Sequence, residues 1–307
     1  MIVPCFNEEG NVKLFYDEVK KTYKGSKKYE IELIFIDDGS KDNTLKELKA
    51  LSKNKDFMVR VISFSRNFGK EAVIYAGLER ATGDYTVIID ADMQQPPSYT
   101  LPMAEILDEG DYDCVCYYQD QRIESAFMTF VKGAFYRTMN KMADLHMQEG
   151  ASDFRMFKTN VKEAIISLKE SARFTKGIFS YVGFKTKYLP YKPEERASGE
   201  SKWSPKKLLR YGINGIISFS TAPLKIATWI GLIMSFVSFF YLIIVLIQKI
   251  FFGVSIPGYP TIVGLTLLIG GIELLCLGII GEYISKMYME IKNRPLYIVK
   301  EEINNDK

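Results

Sequence analysis

The chain has 307 residues, of which 47% are hydrophobic and 25% are charged, with 40 Lys and Arg against 37 Asp and Glu. This composition excludes a disordered chain and a small disulfide scaffold, and a net charge of +3 is too low to indicate a nucleic-acid partner. Hydrophobic residues concentrate in the last third of the chain, whereas most charges precede residue 225. The sequence therefore predicts a two-part protein.

The first part, about 200 residues long, alternates short apolar runs with segments of helical periodicity. Strand-like runs occupy residues 1–4, 31–36, 59–64 and 85–89. Between them lie segments in which apolar residues recur at helical spacing: Val12, Phe15, Tyr16 and Val19; Leu45, Leu48 and Leu51; and residues 70–81. Strands that alternate with helices predict the α/β class, with a mainly parallel sheet covered on both faces.

Acidic residues follow three of these predicted strands. Asp37 and Asp38 close one run, Asp90 and Asp92 another, and Asn7, Glu8 and Glu9 follow the first. A lone acid after a strand is often only a turn former or helix cap, as we expect for Asp42 or Asp84. Because ligands of such sheets bind at the carboxyl ends of the strands, three acidic ends on one rim indicate a site.

The chemistry of that rim favours a divalent cation. The chain has neither G-x-G-x-x-G after a strand nor G-x-x-x-x-G-K-[ST], so the usual dinucleotide and P-loop sites are not indicated. The Asp90-Ala91-Asp92 tripeptide suits Mg²⁺ or Mn²⁺, which takes one or two carboxylates and completes its shell with water and phosphate oxygens. Such a metal would bridge a diphosphate to the protein.

Two long apolar segments follow. Residues 226–247 contain no charged side chain, and residues 261–280 contain only Glu273. Each is long enough to cross a ~30 Å hydrocarbon core, and the Gly258-Tyr259-Pro260 turn separates them. A pair of buried core helices is the alternative. Lys and Arg flank the outer ends of the pair and predict cytoplasmic termini: Lys206, Lys207, Arg210 and Lys225 before it, and Lys286, Lys292 and Arg294 after it, against Lys249 alone in the loop.

The segment before the first span predicts an amphipathic helix. Ser204-Pro205 is a good helix start, and apolar residues then alternate with Lys206, Lys207 and Arg210. The helix would lie on the cytoplasmic leaflet, although an ordinary domain helix with a basic face is the alternative. We therefore expect a catalytic domain at 1–202, an interfacial region at 203–225, a two-helix anchor at 226–281 and a cytoplasmic tail at 282–307.

Six motifs occur in an order that resembles a known family. They are Val3-Pro4-Cys5-Phe6-Asn7-Glu8-Glu9, Asp37-Asp38-Gly39-Ser40, Arg66-Asn67-Phe68-Gly69-Lys70, Asp90-Ala91-Asp92-Met93-Gln94-Gln95-Pro96-Pro97, Ser152-Asp153-Phe154-Arg155 and Gly199-Glu200-Ser201-Lys202. They resemble the family 2 glycosyltransferases that act on polyprenyl phosphates, such as dolichol-phosphate mannose synthase and the bactoprenol glucosyltransferases. Phe219-Ser220, Pro223-Leu224, Gly281-Glu282-Tyr283-Ile284 and Arg294-Pro295 extend the resemblance to the bacterial branch.

The resemblance implies a GT-A fold, a nucleotide-sugar donor, Mg²⁺ or Mn²⁺, and inverting transfer of one sugar to a polyprenyl phosphate. By position it places Asp92 and Gln94 at the metal and Asp153 and Arg155 at the catalytic centre. The donor would be bound by Pro4, Asn7, Glu9, Asp37, Asp38 and Asp90, and the acceptor phosphate by Arg122, Arg137, Arg196, Ser201 and Lys202. A phosphate monoester is already ionised at neutral pH, so Asp153 could orient the acceptor rather than take a proton.

Several alternatives stay open at this point. UDP-glucose is the favoured donor because the two-span layout resembles the bactoprenol glucosyltransferases, with UDP-GlcNAc, UDP-galactose and GDP-mannose as alternatives. A processive polysaccharide synthase is one alternative, but it should carry a Gln-x-x-Arg-Trp motif and more spans, and neither appears in the sequence. An inactive membrane-tethered nucleotide-sugar-binding protein and a pure scaffold are the other candidates. Small residues in the second span would allow close helix packing, so homo-oligomers through the spans are also expected: Gly264, Gly270, Gly271, Gly278 and Gly281.

Overall fold

The computed structural model of the chain describes residues 1–119, 148, 150–171, 173–191, 220–252 and 258–305. One eight-stranded mixed sheet carries helices on both faces, and two long apolar helices follow it. The interfacial helix predicted before the first span falls mostly on residues 203–219, which lie outside the described residues.

The first seven elements agree with the sequence prediction to within one residue at each strand end. In chain order they are β1 (Ile2–Cys5), α1 (Asn11–Thr22), β2 (Glu32–Asp37), α2 (Thr44–Leu51), β3 (Met58–Phe64), α3 (Lys70–Arg80) and β4 (Tyr85–Ile88). The strands β4, β1, β2 and β3 are neighbours in that order and run parallel. Their carboxyl ends therefore share one rim of the sheet.

The second half of the domain adds antiparallel pairing. A short 3-10 helix (Pro97–Tyr99) leads into α4 (Thr100–Asp108), and the later elements are β5 (Cys114–Gln119), β6 (Ala151–Lys158), α5 (Thr159–Ser167), α6 (Thr175–Tyr181) and β7 (Thr186–Tyr191). Strand β6 lies between β4 and β5 and is antiparallel to both, while β7 pairs with β5 in parallel. Because β6 runs against β4, its first residues lie at the rim where β4 ends.

Two hydrophobic layers hold the sheet between the helices. Along β2, Leu33 and Phe35 pack into the layer under α1, α2 and α4, while Ile34 and Ile36 pack into the layer under α3, α5 and α6. All four side chains are fully buried. Burial on both faces explains why this strand is a continuous apolar run rather than an alternating one.

The end of the chain returns to the sheet, which the sequence analysis did not anticipate for the segment 282–307. Residues Val299–Asn304 form β8, which pairs antiparallel with β3 and closes that edge of the sheet. The side chain of Asn305 then accepts a hydrogen bond from the Val59 amide at 2.5 Å and donates one to the Asn54 carbonyl at 2.7 Å. The predicted tail therefore includes part of the catalytic domain.

The two apolar segments form α7 (Ala222–Phe252) and α8 (Tyr259–Ile291). Both contain stretches long and apolar enough to cross a membrane, Ala222–Val245 and Gly264–Ile291, and neither stretch is buried within the protein. Large side chains such as Trp229 and Phe236 are exposed, at 64% and 63%. This exposure argues against the alternative of two buried core helices. Both helices are longer than the predicted spans, since α7 begins at Ala222 and α8 continues to Ile291.

Candidate functional site

Two buried carboxylates shape the end of β2. Asp37 accepts hydrogen bonds from the Ser40 amide at 3.0 Å and the Ser63 hydroxyl at 2.8 Å. Asp38 accepts from the amides of Phe68 and Gly69 at 2.6 Å and 2.9 Å. Burial raises the pKa of Asp38, and these two backbone hydrogen bonds only partly offset that effect. In the structure these carboxylates tie the loop after β2 to the loop after β3.

The close approach of these two loops depends on a glycine. Gly39 has φ of +67°, and a Cβ at this position would lie 2.6 Å from the carbonyl carbon of Arg66. A side chain here would therefore meet backbone and adopt a conformation that L residues rarely occupy. The Asp37-Asp38-Gly39-Ser40 motif thus fixes the loop at the carboxyl end of β2 against the loop after β3.

The loop after β1 contacts the loop after β2. Asn7 has φ of 53°; its amide donates to the Ser40 hydroxyl and its Oδ1 accepts from the Lys41 amide, both at 3.0 Å. Glu9 accepts hydrogen bonds from the amide and the side chain of Asn43, at 3.0 Å and 2.7 Å. Pro4 is half-buried in β1 opposite Ile36. The structure thus brings together, at one rim of the sheet, the residues in and after β1 and β2 that were predicted to bind the sugar donor.

A lysine joins two of the predicted acidic residues. The Lys70 Nζ lies 2.8 Å from Asp90 Oδ2 and 3.1 Å from Asp153 Oδ2. Lys70 is the first residue of α3, Asp90 follows β4, and Asp153 is near the start of β6. One cation therefore links the expected diphosphate site to the expected catalytic carboxylate.

Electrostatics keep Lys70 and Asp153 charged. Burial lowers the pKa of Lys70, but the charges of Asp90 and Asp153 outweigh burial and raise it above the usual value. Burial likewise raises the pKa of Asp153, yet Lys70, Lys176 and Arg155 outweigh it and hold the pKa below the usual range. Asp153 is therefore an anion at neutral pH, not a proton donor.

Two further cations, Arg155 and Lys176, act on Asp153. Arg155 is 5% exposed, and its Nη2 donates to the Ser152 carbonyl at 2.8 Å. Its guanidinium lies over the Phe179 ring, 4.1 Å from the ring centre. Lys176 on α6 donates to the Ala151 carbonyl at 2.9 Å. The charges of both cations lower the pKa of Asp153.

Asp92 and Gln94 form a compact turn beyond β4. The Gln94 amide donates to Asp92 Oδ1 at 3.2 Å, and Met93 between them has φ of 61°. Within the described ranges, no three His, Cys, Asp or Glu side chains group closely enough to hold a metal by themselves. One carboxylate and one amide oxygen nevertheless fit a Mg²⁺ or Mn²⁺ ion that takes its remaining ligands from water and substrate phosphates.

The predicted acceptor residues cannot be placed, and one further residue was missed. Arg122, Arg137, Arg196, Ser201 and Lys202 all lie outside the described residues. Lys70 belongs to the Arg66-Asn67-Phe68-Gly69-Lys70 motif, but the sequence analysis gave it no role. Its position as the first residue of a helix that follows a strand end was the available signal, because such a residue starts at the rim of the sheet.

Comparisons with known proteins cover nearly the whole chain. The family model of glycosyl transferase family 2 matches residues 1–165, and the model of the GtrB C-terminal hairpin matches residues 222–287. The prophage bactoprenol glucosyl transferase homolog of Escherichia coli K12 is 38% identical over 98% of this chain and 97% of its own length. The bactoprenol glucosyl transferase of Shigella phage SfV is 38% identical over 98% of each chain.

Solved structures resemble the domain more distantly. Glucosyl-3-phosphoglycerate synthase from Mycobacterium tuberculosis, solved in complex with uridine diphosphate, is 17% identical, with a TM-score of 0.46, and the match covers 71% of this chain and 76% of that one.

Proposed function

The chain belongs to glycosyl transferase family 2, and on that premise we propose that it transfers one sugar from a nucleotide sugar to a polyprenyl phosphate at a membrane surface. It is a glycosyltransferase with the predicted α/β, GT-A class of fold, in which a mostly parallel sheet is covered by helices on both faces. Undecaprenyl phosphate is the proposed acceptor and UDP-glucose the proposed donor.

The observation that carries this proposal is similarity over both parts of the protein. The relatives named bactoprenol glucosyl transferases align with 98% of this chain, so the similarity includes the apolar helices as well as the sheet. A lipid-linked acceptor stays in the bilayer, and an enzyme that uses it needs a means of staying there too. The hairpin of α7 and α8 supplies that means by its length and composition.

The donor side of the proposed site lies at the ends of β1, β2 and β4. Pro4, Asn7, Glu9, Asp37 and Asp38 would bind or shape the nucleotide pocket, with the two buried carboxylates acting through the loops they hold. Asp90 would support the diphosphate end of the donor.

Asp92 and Gln94 would hold Mg²⁺ or Mn²⁺. When bound, the ion supplies positive charge that offsets the charge on the diphosphate. The turn, in which the Gln94 backbone amide donates to Asp92 Oδ1, keeps both side chains on one short segment.

On the acceptor side, Asp153 positions rather than deprotonates. A phosphate monoester has a second pKa near ~6, so its oxygen is already a nucleophile at neutral pH. In the proposed inverting reaction this oxygen forms a bond to the anomeric carbon while the bond from that carbon to the diphosphate oxygen breaks. The ionised Asp153, held by Lys70 at 3.1 Å, orients the cations that receive the acceptor, with Arg155 among them. Arg122, Arg137, Arg196, Ser201 and Lys202 are proposed to bind the acceptor phosphate.

The proposed topology places both ends of the chain on the cytoplasmic side. Ile2–Cys5 and Val299–Asn304 belong to the same sheet, so a hairpin that crosses the membrane twice returns the chain to the side from which it left. The Lys and Arg residues that flank the outer ends of the hairpin favour the cytoplasm for that side. The protein is thus proposed to be a two-span protein of the cytoplasmic membrane, with assembly through its spans.

The test is transfer of labelled sugar into the organic phase by the purified full-length protein. Undecaprenyl phosphate is supplied with UDP-glucose, UDP-GlcNAc, UDP-galactose or GDP-mannose, in Mg²⁺ or Mn²⁺. We expect a singly glycosylated lipid from UDP-glucose, and its loss in Asp92→Asn and after chelation. Longer saccharides on the lipid would indicate a processive synthase. Metal-dependent donor binding without transfer from any donor would indicate an inactive binding protein and refute the proposal.

A further inference from the structure

A cleft on the α6 side of the sheet is not used by any residue assignment above except through Arg155. It is partly open to solvent and is lined by Gln148 and by residues of β6, α6 and β7. The polar side chains of the lining are Gln148, Arg155, Lys176, Ser180, Thr186 and Tyr188.

The charge of this lining is one-sided. Arg155 and Lys176 are both cations, and no Asp or Glu is among those lining residues that the structure describes. The nearest carboxylate discussed above, Asp153, already pairs with Lys70 at 3.1 Å. An anion that entered the cleft would therefore be attracted by the charges of Arg155 and Lys176.

The lining also contains donors that lack acceptors. Arg155 is 5% exposed, and within the described part of the chain its buried Nε has no hydrogen-bond partner. The buried hydroxyl of Ser180 is in the same condition there. Buried polar atoms are nearly always paired in folded proteins, so such donors together mark a place for an acceptor that the described residues do not provide. Burial also raises the pKa of Tyr188, so its hydroxyl keeps its proton and can donate.

We infer that this cleft binds a phosphate group, with Arg155 and Lys176 supplying charge and Ser180 and Tyr188 supplying hydroxyl donors. A tetrahedral oxyanion offers several acceptor oxygens, and an arginine beside it suits this geometry. The inference deepens the proposed function and rests on it for one source of the phosphate, the acceptor lipid. Arg155 and Asp153 lie two residues apart, about 7 Å along the strand, on one face of β6, so a phosphate on Arg155 would lie on the same side of the sheet as the proposed catalytic carboxylate. Free phosphate is the other source of the same chemistry.

The first experiment tests the site without requiring sugar transfer. Thermal unfolding of the full-length protein in detergent is followed with increasing inorganic phosphate, at an ionic strength held constant with chloride. Ser180→Asp puts a carboxylate into the cleft and should weaken the phosphate effect about tenfold or more. Ser180→Asn is the neutral control, and Ser167→Asp adds the same charge at an exposed position of α5. Tyr188→Phe, which removes one hydroxyl, serves if Ser180→Asp does not fold.

Stabilisation by phosphate that is weakened in Ser180→Asp or Tyr188→Phe but kept in Ser167→Asp supports the site. Equal stabilisation in all variants, or none beyond that of chloride, overturns it. Competition in the transfer assay then distinguishes the sources. If phosphate competes with undecaprenyl phosphate, and Ser180→Asp raises the KM for the lipid but not for the donor, the lipid is the source. Phosphate binding at the cleft without competition assigns the site to free phosphate. A protein that transfers no sugar but still binds phosphate in the cleft refutes the proposed function alone.

Discussion

Replacing Lys70 with methionine tests the link between Asp90 and Asp153. Methionine keeps much of the side-chain length and removes the charge, so both carboxylates lose the cation they share. The two negative charges, less compensated than before, would then face the phosphates of donor and acceptor. We expect kcat/KM for sugar transfer to fall, and Lys70→Arg to restore most of it because arginine keeps the charge.

The size of the loss follows from the two contacts. They are 2.8 Å and 3.1 Å long, and the three side chains are between 26% and 37% exposed. Exposed pairs contribute ~0–1 kcal/mol, and solvent screens pairs with this degree of exposure, so ~1 kcal/mol for each contact is appropriate. A combined ~2 kcal/mol corresponds to a decrease of ~30-fold, at ~1.4 kcal/mol for each factor of ten.

The pH profile separates this role from a merely structural one. In the wild-type protein the pKa of Asp153 is held below its usual range of ~4, so the ionised form persists into acid and is lost as the pH falls through that depressed pKa. Without Lys70, only Lys176 and Arg155 oppose burial, and the pKa rises. Because the acceptor phosphate itself titrates near ~6, the shift is measured in the acid limb of thermal stability, which should move to higher pH in Lys70→Met. An unchanged rate with an unchanged acid limb would refute the reasoning.

Three smaller perturbations test the packing around the site. Gly39→Ala should lower the free energy of unfolding by ~2 kcal/mol or more, because its Cβ would lie 2.6 Å from the Arg66 carbonyl carbon; Gly83→Ala, with its nearest atom at 3.5 Å, is the mild control in thermal unfolding. Burial raises the pKa of Cys114 to about 12, so the thiol should resist iodoacetamide at pH ~8 until the protein unfolds; reaction at the rate of a free thiol would contradict this. Asn305→Ala removes hydrogen bonds to β3 and to the segment before it, so it should lower the free energy of unfolding by ~1–2 kcal/mol and speed proteolysis of the C-terminal residues. Unchanged proteolysis would argue against a contribution of these hydrogen bonds.

The parallel half of the sheet could be predicted from the sequence because its signals are local. A strand such as β2 is a continuous apolar run, and the acids that close it mark the rim directly. The pairing of β6 between β4 and β5 has no such signal, since its register depends on contacts between segments far apart in the chain. Strand β8 was missed because three consecutive charged residues, Lys300 to Glu302, hide the alternation typical of an edge strand.

The candidate site shows the same division. The roles of Asp90, Asp92 and Asp153 were predicted from motifs. The Lys70 contacts that join Asp90 to Asp153 were not predicted, because the three residues belong to segments far apart in the chain. The cleft beside Arg155 was also out of reach, since the unpaired state of a buried donor depends on the folded surroundings and leaves no pattern in the sequence.

Because the chain returns to the sheet in β8, the sheet is connected to the pair of apolar helices at two points. One connection enters α7, and the other leaves α8 and reaches β8 through residues 292–298. These seven residues span at most ~25 Å when fully extended. The link is shortened further where Glu290 accepts the Ser171 amide at 3.0 Å and where Tyr297 stacks on Phe64 at 4.8 Å.

The link from α8 is short and anchored to the sheet, so the sheet stays within ~25 Å of the end of α8. If the hairpin crosses a membrane as proposed, this distance keeps the domain close to the bilayer surface. Its search for a lipid substrate would then take place in two dimensions rather than three.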